Sequence, residues 1–559
     1  MRKPLLLTLM VALLLGAACW SPARADAAGD LKPLAVASFA GYGELLDDLA
    51  LVGKLADRPE VPQMFEAVLT LATQGHGLAG LDKERPWGAV ILPADERPVG
   101  FAFLPITDLD QLHEVVKPHL REVTDVGGEV YKLEGKRGDK PLYVKEQNGW
   151  LLASDNADVL SKAPDNPSAL LEGLDGQYDV AVRLYVCNVP AEDREKLLAK
   201  LKRDAKKELE RRSGESDEEL AARKILAKAV LKAVSGAANE LQQITLGWSL
   251  DNQDEVAGVE LSVTALEGTS AAADLAGLTK AKTRFAGFCI PGAALSWSLA
   301  ANYDLGGGEE LGAVFKAIRD AAFREIDLKH MPEEAAAVKQ LADGLLQATR
   351  ETLASGRADG AASVVLKPDA LTVAVGKYVA DAAALEETLG DFVEAVRRKH
   401  PDFVNNVLTI DAGEHKGVRF HTLSLPLPGQ VKNRAQVVQL VGEKLDVVVG
   451  IGQQSFYWAA GKNAMATLKE AIDRSQSAAA ETSLPMEISL ALSPVAQFVA
   501  QAGPPREREK AQKAAELLET VDGKDHIRLT ASPIERGVKY RLEAEQGVLK
   551  LIGAATRKQ

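Results

Sequence analysis

Cysteine is scarce in this sequence, with three residues in 559. That scarcity excludes the disulfide-stapled architecture of small secreted domains. Long apolar runs are missing too. The longest, Leu5 to Ala18, falls short of the roughly 20 residues that span a bilayer as a helix. Basic charge is in deficit, with 66 Lys and Arg against 79 Asp and Glu. Such a surface repels phosphate backbones and anionic headgroups, so nucleic acid is not an expected partner. Compact chemical signatures are absent as well: there is no Gly-x-Ser-x-Gly elbow, His-Glu-x-x-His pair, phosphate loop or dinucleotide fingerprint. No cofactor is expected.

The clearest positive signal is at the start. Basic Arg2 and Lys3, the apolar run and small residues at Ala23-Arg24-Ala25 follow one another as in a cleavable secretory signal peptide, with the cut before Asp26. Loss of Arg2, Lys3 and Arg24 lowers the basic count from 66 to 63 and brings the net charge from −13 to −16. An alternative start is Cys19 after Gly16-Ala17-Ala18, as a lipidated first residue similar to that of bacterial lipoproteins. Gly16 stands where such signals carry a larger aliphatic residue, which argues against it. The remaining Cys187 and Cys289 sit in apolar stretches, Leu184 to Val186 and Phe285 to Ile290, that read as strands holding buried free thiols. Export with so few cysteines points to a bacterial periplasm or cell envelope; an extracellular location is the alternative.

The exported part reads as α+β: two tandem, diverged copies of a module, each an antiparallel sheet covered by helices on one face. The expected division is 1–25 signal peptide, 26–270 first module and 271–559 second module. Gly88 to Leu92 and Gly100 to Leu104 form a hairpin whose counterpart is Ser363 to Leu366 and Leu371 to Val375. A helix after Asp108 matches one after Asp381. Gly128-Glu129-Val130 matches Gly417-Val418, and Asn156-Ala157 matches Asn463-Ala464. Closing strands at Gly258 to Leu261 and Gly537 to Tyr540 complete the parallel.

One segment breaks the symmetry. Residues 191–241 predict a charged helical hairpin inserted in the first copy, its second helix opened by a Ser216 to Glu219 capping box.

Candidate chemistry is thin. His415 and His421, six apart around a predicted strand with Asp411 and Glu414 nearby, place two imidazoles and a carboxylate on one face if the strand is regular, a weak candidate for a divalent metal. His113 and His119 read as surface residues. Gly306-Gly307-Gly308 reads as a loop and helix start, because Glu309 and Glu310 oppose an anion there. Trp150 and Phe456-Tyr457-Trp458 fall on corresponding strands and read as core aromatics.

Two functions are therefore expected. The first is a non-catalytic envelope protein that binds a small ligand or a protein through the helical hairpin or the seam between the modules. The alternative is an exported hydrolase of undetected type, metal-dependent if its candidates His415, His421 and Asp411 hold an ion.

Overall fold

The computed structural model describes residues 31–94, 97–136, 140–208, 211, 217–278, 282–302, 332–427, 429, 434–477 and 484–556. Met1 to Ala25 with Cys19, the Ser216 cap and Gly306 to Gly308 lie outside those residues. Twenty strands and fifteen α-helices occur among them, and the strands pair antiparallel, so the fold is mixed α+β. No helix among the described residues is long and apolar enough to cross a membrane. The chain divides into two compact units, residues 1–196 with 238–266 and 543–559, and residues 197–237 with 267–542.

The first unit runs β1 (Ala35–Phe39), α1 (Tyr42–Leu55), α2 (Val61–Ala72), β2 (Trp87–Leu92), β3 (Val99–Pro105), α3 (Leu109–Val116), β4 (Leu120–Gly127), β5 (Val130–Gly135), β6 (Leu142–Gln147), β7 (Trp150–Ser154), α4 (Ala157–Leu160) and β8 (Val180–Leu184). Helices α5 (Ala191–Glu208) and α6 (Asp217–Glu240) follow in the chain and fall mostly in the second unit; β9 (Leu241–Asp251) and β10 (Val256–Ala265) belong to the first. Its sheet order is β4-β5-β6-β7-β3-β2-β1-β8-β9-β10.

The second unit contains α7 (Ser270–Leu278), β11 (Leu295–Asn302), α8 (Pro332–Ala354), β12 (Arg357–Lys367), β13 (Ala370–Tyr378), α9 (Ala382–Lys399), α10 (Pro401–Val407), β14 (Leu408–His415) and β15 (Val418–Pro426). It continues with α11 (Arg434–Val441), β16 (Lys444–Gly452), β17 (Ser455–Gly461), α12 (Ala464–Ser477), β18 (Met486–Ala491), α13 (Leu492–Ala502), α14 (Pro505–Leu518), β19 (His526–Ile534) and β20 (Gly537–Ala544). Its sheet order is β14-β15-β16-β17-β13-β12-β11-β18-β19-β20. Helix α15 (Gln546–Thr556) belongs to the first unit.

Local sequence explains several boundaries. Asp108 caps α3 by accepting a hydrogen bond from the Gln111 amide, and Asp381 caps α9 from the Ala384 amide, satisfying donors that a helix start leaves open. Asn148-Gly149 turns β6 into β7, and Lys416-Gly417 turns β14 into β15. All four residues have positive φ, as a two-residue hairpin of this hand requires.

Each unit has its own core. In the first, Phe103, Leu152, Val36 and Val90 pack on Val159 and Leu160 of α4. In the second, Phe420, Ala361 and Ala374 pack on Leu468 and Ile472 of α12, together with Phe285 and Phe288. The two cysteines are free and lie in short 3-10 turns, Val186–Asn188 and Ala286–Phe288 followed by Cys289, in place of the strands read from the sequence. Tyr185 and Phe285, at the heads of these turns, are nearly fully buried, which accounts for the apolar pattern.

Candidate functional site

The residues proposed for metal binding separate. His415 ends β14 and pairs with Val418, whereas His421 stands three residues farther along β15. Side chains alternate along a strand, so His415 shares a face with Val418 and Phe420 while His421 projects from the other. Even spacing keeps two residues together along one strand, but here a two-residue turn intervenes. The His415 Nε2 lies 2.7 Å from the Asp473 Oδ1 on α12. The His421 Nδ1 accepts a hydrogen bond from the Asp411 backbone amide at 3.3 Å, and its Nε2 faces the Glu386 carboxylate of α9 at 3.7 Å. Asp411 occupies an irregular stretch of β14 with φ of 51°, and its link to His421 runs through the amide. Glu414 pairs across with Arg419 in the ladder.

Of the aromatic candidates Trp150 lies in the interior, while Phe456, Tyr457 and Trp458 are half-buried. Trp150 is buried, edge-on to Phe103 at 5.6 Å and under the Arg85 guanidinium at 4.6 Å. Tyr457 stacks on Phe288 at 5.6 Å, and Phe456 packs with Val379 and Leu385. His113 and His119 are exposed.

Two features were not singled out from the sequence. The first is a buried acidic pair. Asp48 on α1 and Asp179, just before β8, are hydrogen-bonded carboxyl to carboxyl. Burial, followed by the neighbouring Asp179 charge, pushes Asp48 up to about 7, and burial also raises Asp179. The Leu250 amide donates to Asp179 at 2.6 Å and the Asn252 amide group to Asp48 at 2.9 Å. Below about pH 7 the Asp48 carboxyl therefore keeps its proton and can donate it to Asp179.

The second is the outer face of β8, β9 and β10. Register places Trp248 between Val180 and Val259, Leu246 between Val182 and Leu261, and Ile244 between Leu184 and Val263. No polar side chain interrupts this three-by-three grid. Leu246 is 53% exposed, Leu184 46%, Trp248 43%, and Val182 and Leu261 39% each. Single exposed apolar residues are ordinary, but a contiguous patch of this kind marks an interaction surface. The opposite face is closed: Tyr178 lies over Gly247 and donates its hydroxyl to buried Glu260. Alternation of apolar residues along β9 was visible in the sequence, and only strand register shows that three such rows align.

No protein-family model matches the chain, and neither a curated protein nor a solved structure is significantly similar to it.

Proposed function

We propose that this is an exported, non-catalytic binding protein of a bacterial envelope, built from two diverged copies of one α+β module, which docks an amphipathic helix of a partner protein on the outer face of β8, β9 and β10. The carrying observation is the uninterrupted apolar grid centred on Leu246 and Trp248. Three strands span about 10 to 15 Å at the usual 4.8 Å spacing, which suits one helix about 10 Å across. Among the described residues, the nine positions of the grid carry no nucleophile or titratable group.

Support for duplication is the strand order, which is the same in both units when each strand of the first is matched to the one ten places later. The hairpin α5–α6 joins β8 to β9 where the shorter pair α13–α14 joins β18 to β19, so it reads as an elongated version of a shared element. Export rests on the signal pattern of Met1 to Ala25. The hydrolase alternative gains nothing from His415, His421 and Asp411, which engage separate groups.

The test is photo-cross-linking in the native host from a photoreactive residue replacing Trp248, with the same probe at Lys200 on α5 as control. An adduct specific to position 248, mapped to a peptide with apolar residues at helical spacing and lost on Leu246→Glu, supports the reading. Adducts only to lipid, or equal yields from both positions, overturn it.

A further inference from the structure

A second recognition site lies elsewhere in the first unit, independent of the apolar sheet face. Helix α1, helix α2 and the loop between α2 and β2 enclose a cleft of about 490 Å³. This is within the size range of small-ligand sites. Tyr42 opens α1 on one side, Glu66 and Leu69 line it from α2, and His76, Leu78 and Lys83 come from the loop.

The loop is held by its own hydrogen bonds. The Gly75 amide donates to the Thr70 carbonyl at 2.7 Å and the Ala79 amide to the His76 carbonyl at 3.3 Å, while the Lys83 carbonyl accepts from the Gly43 amide of α1 at 2.9 Å. The backbone from which Lys83 projects is therefore fixed to the helix that carries Tyr42. The Lys83 Nζ stands 5.4 Å from the centre of the Tyr42 ring. After burial, the Glu66 charge is the next cause holding the Tyr42 hydroxyl above its ordinary value, so an acidic and a basic group both face the same phenol.

Among the described residues, neither Glu66 nor Lys83 has an ion-pair partner, although both line one cleft. No ion pair joins the two. Their charges also cancel in sum, which gives no preference to a simple anion or a simple cation. A ligand with an ammonium and a carboxylate spans such a pair, each end making a charge-assisted hydrogen bond. Leu69 and Leu78 supply apolar wall for the remainder of the molecule.

We propose that this cleft binds a small zwitterion with an apolar body, of the amino-acid or short-peptide class, its ammonium on Glu66 and its carboxylate on Lys83.

Calorimetric titration of the full mature chain with L-leucine and leucyl-leucine, beside leucinamide and 4-methylpentanoate, tests this. At least one zwitterion is expected to bind, and removal of either charge from it is expected to weaken binding about tenfold or more. Glu66→Gln should abolish the preference over 4-methylpentanoate, and Lys83→Met the preference over leucinamide. Both positions are exposed, so circular dichroism of the unliganded variants should match the parent. Absence of zwitterion binding at millimolar concentration, equal binding of the single-charge analogues, or binding indifferent to both substitutions overturns the proposal.

Discussion

Asp48 and Asp179 face each other as two buried, hydrogen-bonded carboxyl groups, one carried by a helix and the other by the residue that leads into β8. Two full negative charges side by side, away from water, repel, so below about pH 7 the folded state keeps Asp48 neutral. Glu44, one turn earlier on α1, is also raised, first by burial and then by Asp179.

This pair predicts a pH dependence of stability with a definite sign. An unfolded aspartate titrates near 4, whereas folded Asp48 titrates at about 7. Between those values the folded chain binds more protons than the unfolded chain, so stability falls as pH rises through that window. Its contribution is fully present below pH 4 and gone above about pH 7. Asp48→Asn supplies a neutral partner that donates to Asp179 at every pH. The variant should lose much of the slope and gain about 2 kcal/mol at pH 8 relative to the parent. Urea unfolding at pH 5 and pH 8 measures both, and an unchanged slope would refute the assignment.

Gly247 is predicted to be intolerant of any side chain. A Cβ there lies 2.3 Å from the ring of Tyr178, on the closed face of the sheet, so strand or ring must shift. Gly247→Ala should cost about 2 kcal/mol or more through overpacking. Tyr178→Phe keeps the ring and removes the hydroxyl that donates to Glu260, and should cost about 1 to 2 kcal/mol. Thermal unfolding of the two variants separates shape from hydrogen bonding.

How far the sequence could be read depended on whether a feature is local. Asp108 and Asp381 announced their helix starts because a cap involves only the next three residues. Hairpins around Asp369 and Arg97 were legible by alternation. His415 and His421 were not, because their relation turns on whether Lys416-Gly417 continues a strand or reverses it, and Gly417 permits both. Asp48 and Asp179 are 131 positions apart, and the Asn252 and Leu250 groups that complete their setting come from a third element. No spacing rule reaches that distance. The sheet face has the same origin: Val182, Leu246 and Leu261 become one row only through register.

A shared metal would couple His415 and His421, and the structure predicts that they are energetically independent. Each imidazole meets its own carboxylate, Asp473 for one and Glu386 for the other, on different helices. A double-mutant cycle with His415→Ala and His421→Ala should therefore be additive within about 0.5 kcal/mol, with or without zinc. A zinc-dependent coupling above about 1 kcal/mol would show a common ion and restore the metal reading.

The two faces of the β8–β10 sheet should respond unequally to the same substitution. Trp248→Glu places a carboxylate on a side chain that is already 43% exposed, so the new charge stays hydrated. The expected cost is about 1 to 2 kcal/mol, for the apolar area that the half-buried indole loses, with improved solubility, since the variant breaks a contiguous apolar patch. Ala181→Glu, one residue along from Val182 on β8, forces the same group into the closed face beside Gly247 and Glu260, where Ala181 is 1% exposed. A second buried carboxylate next to Glu260 has neither solvent nor room, and the variant should fail to fold or lose several kcal/mol. Parallel denaturation curves decide it: if Trp248→Glu proves as damaging as Ala181→Glu, the outer face is a packed interior and not the binding surface proposed for it.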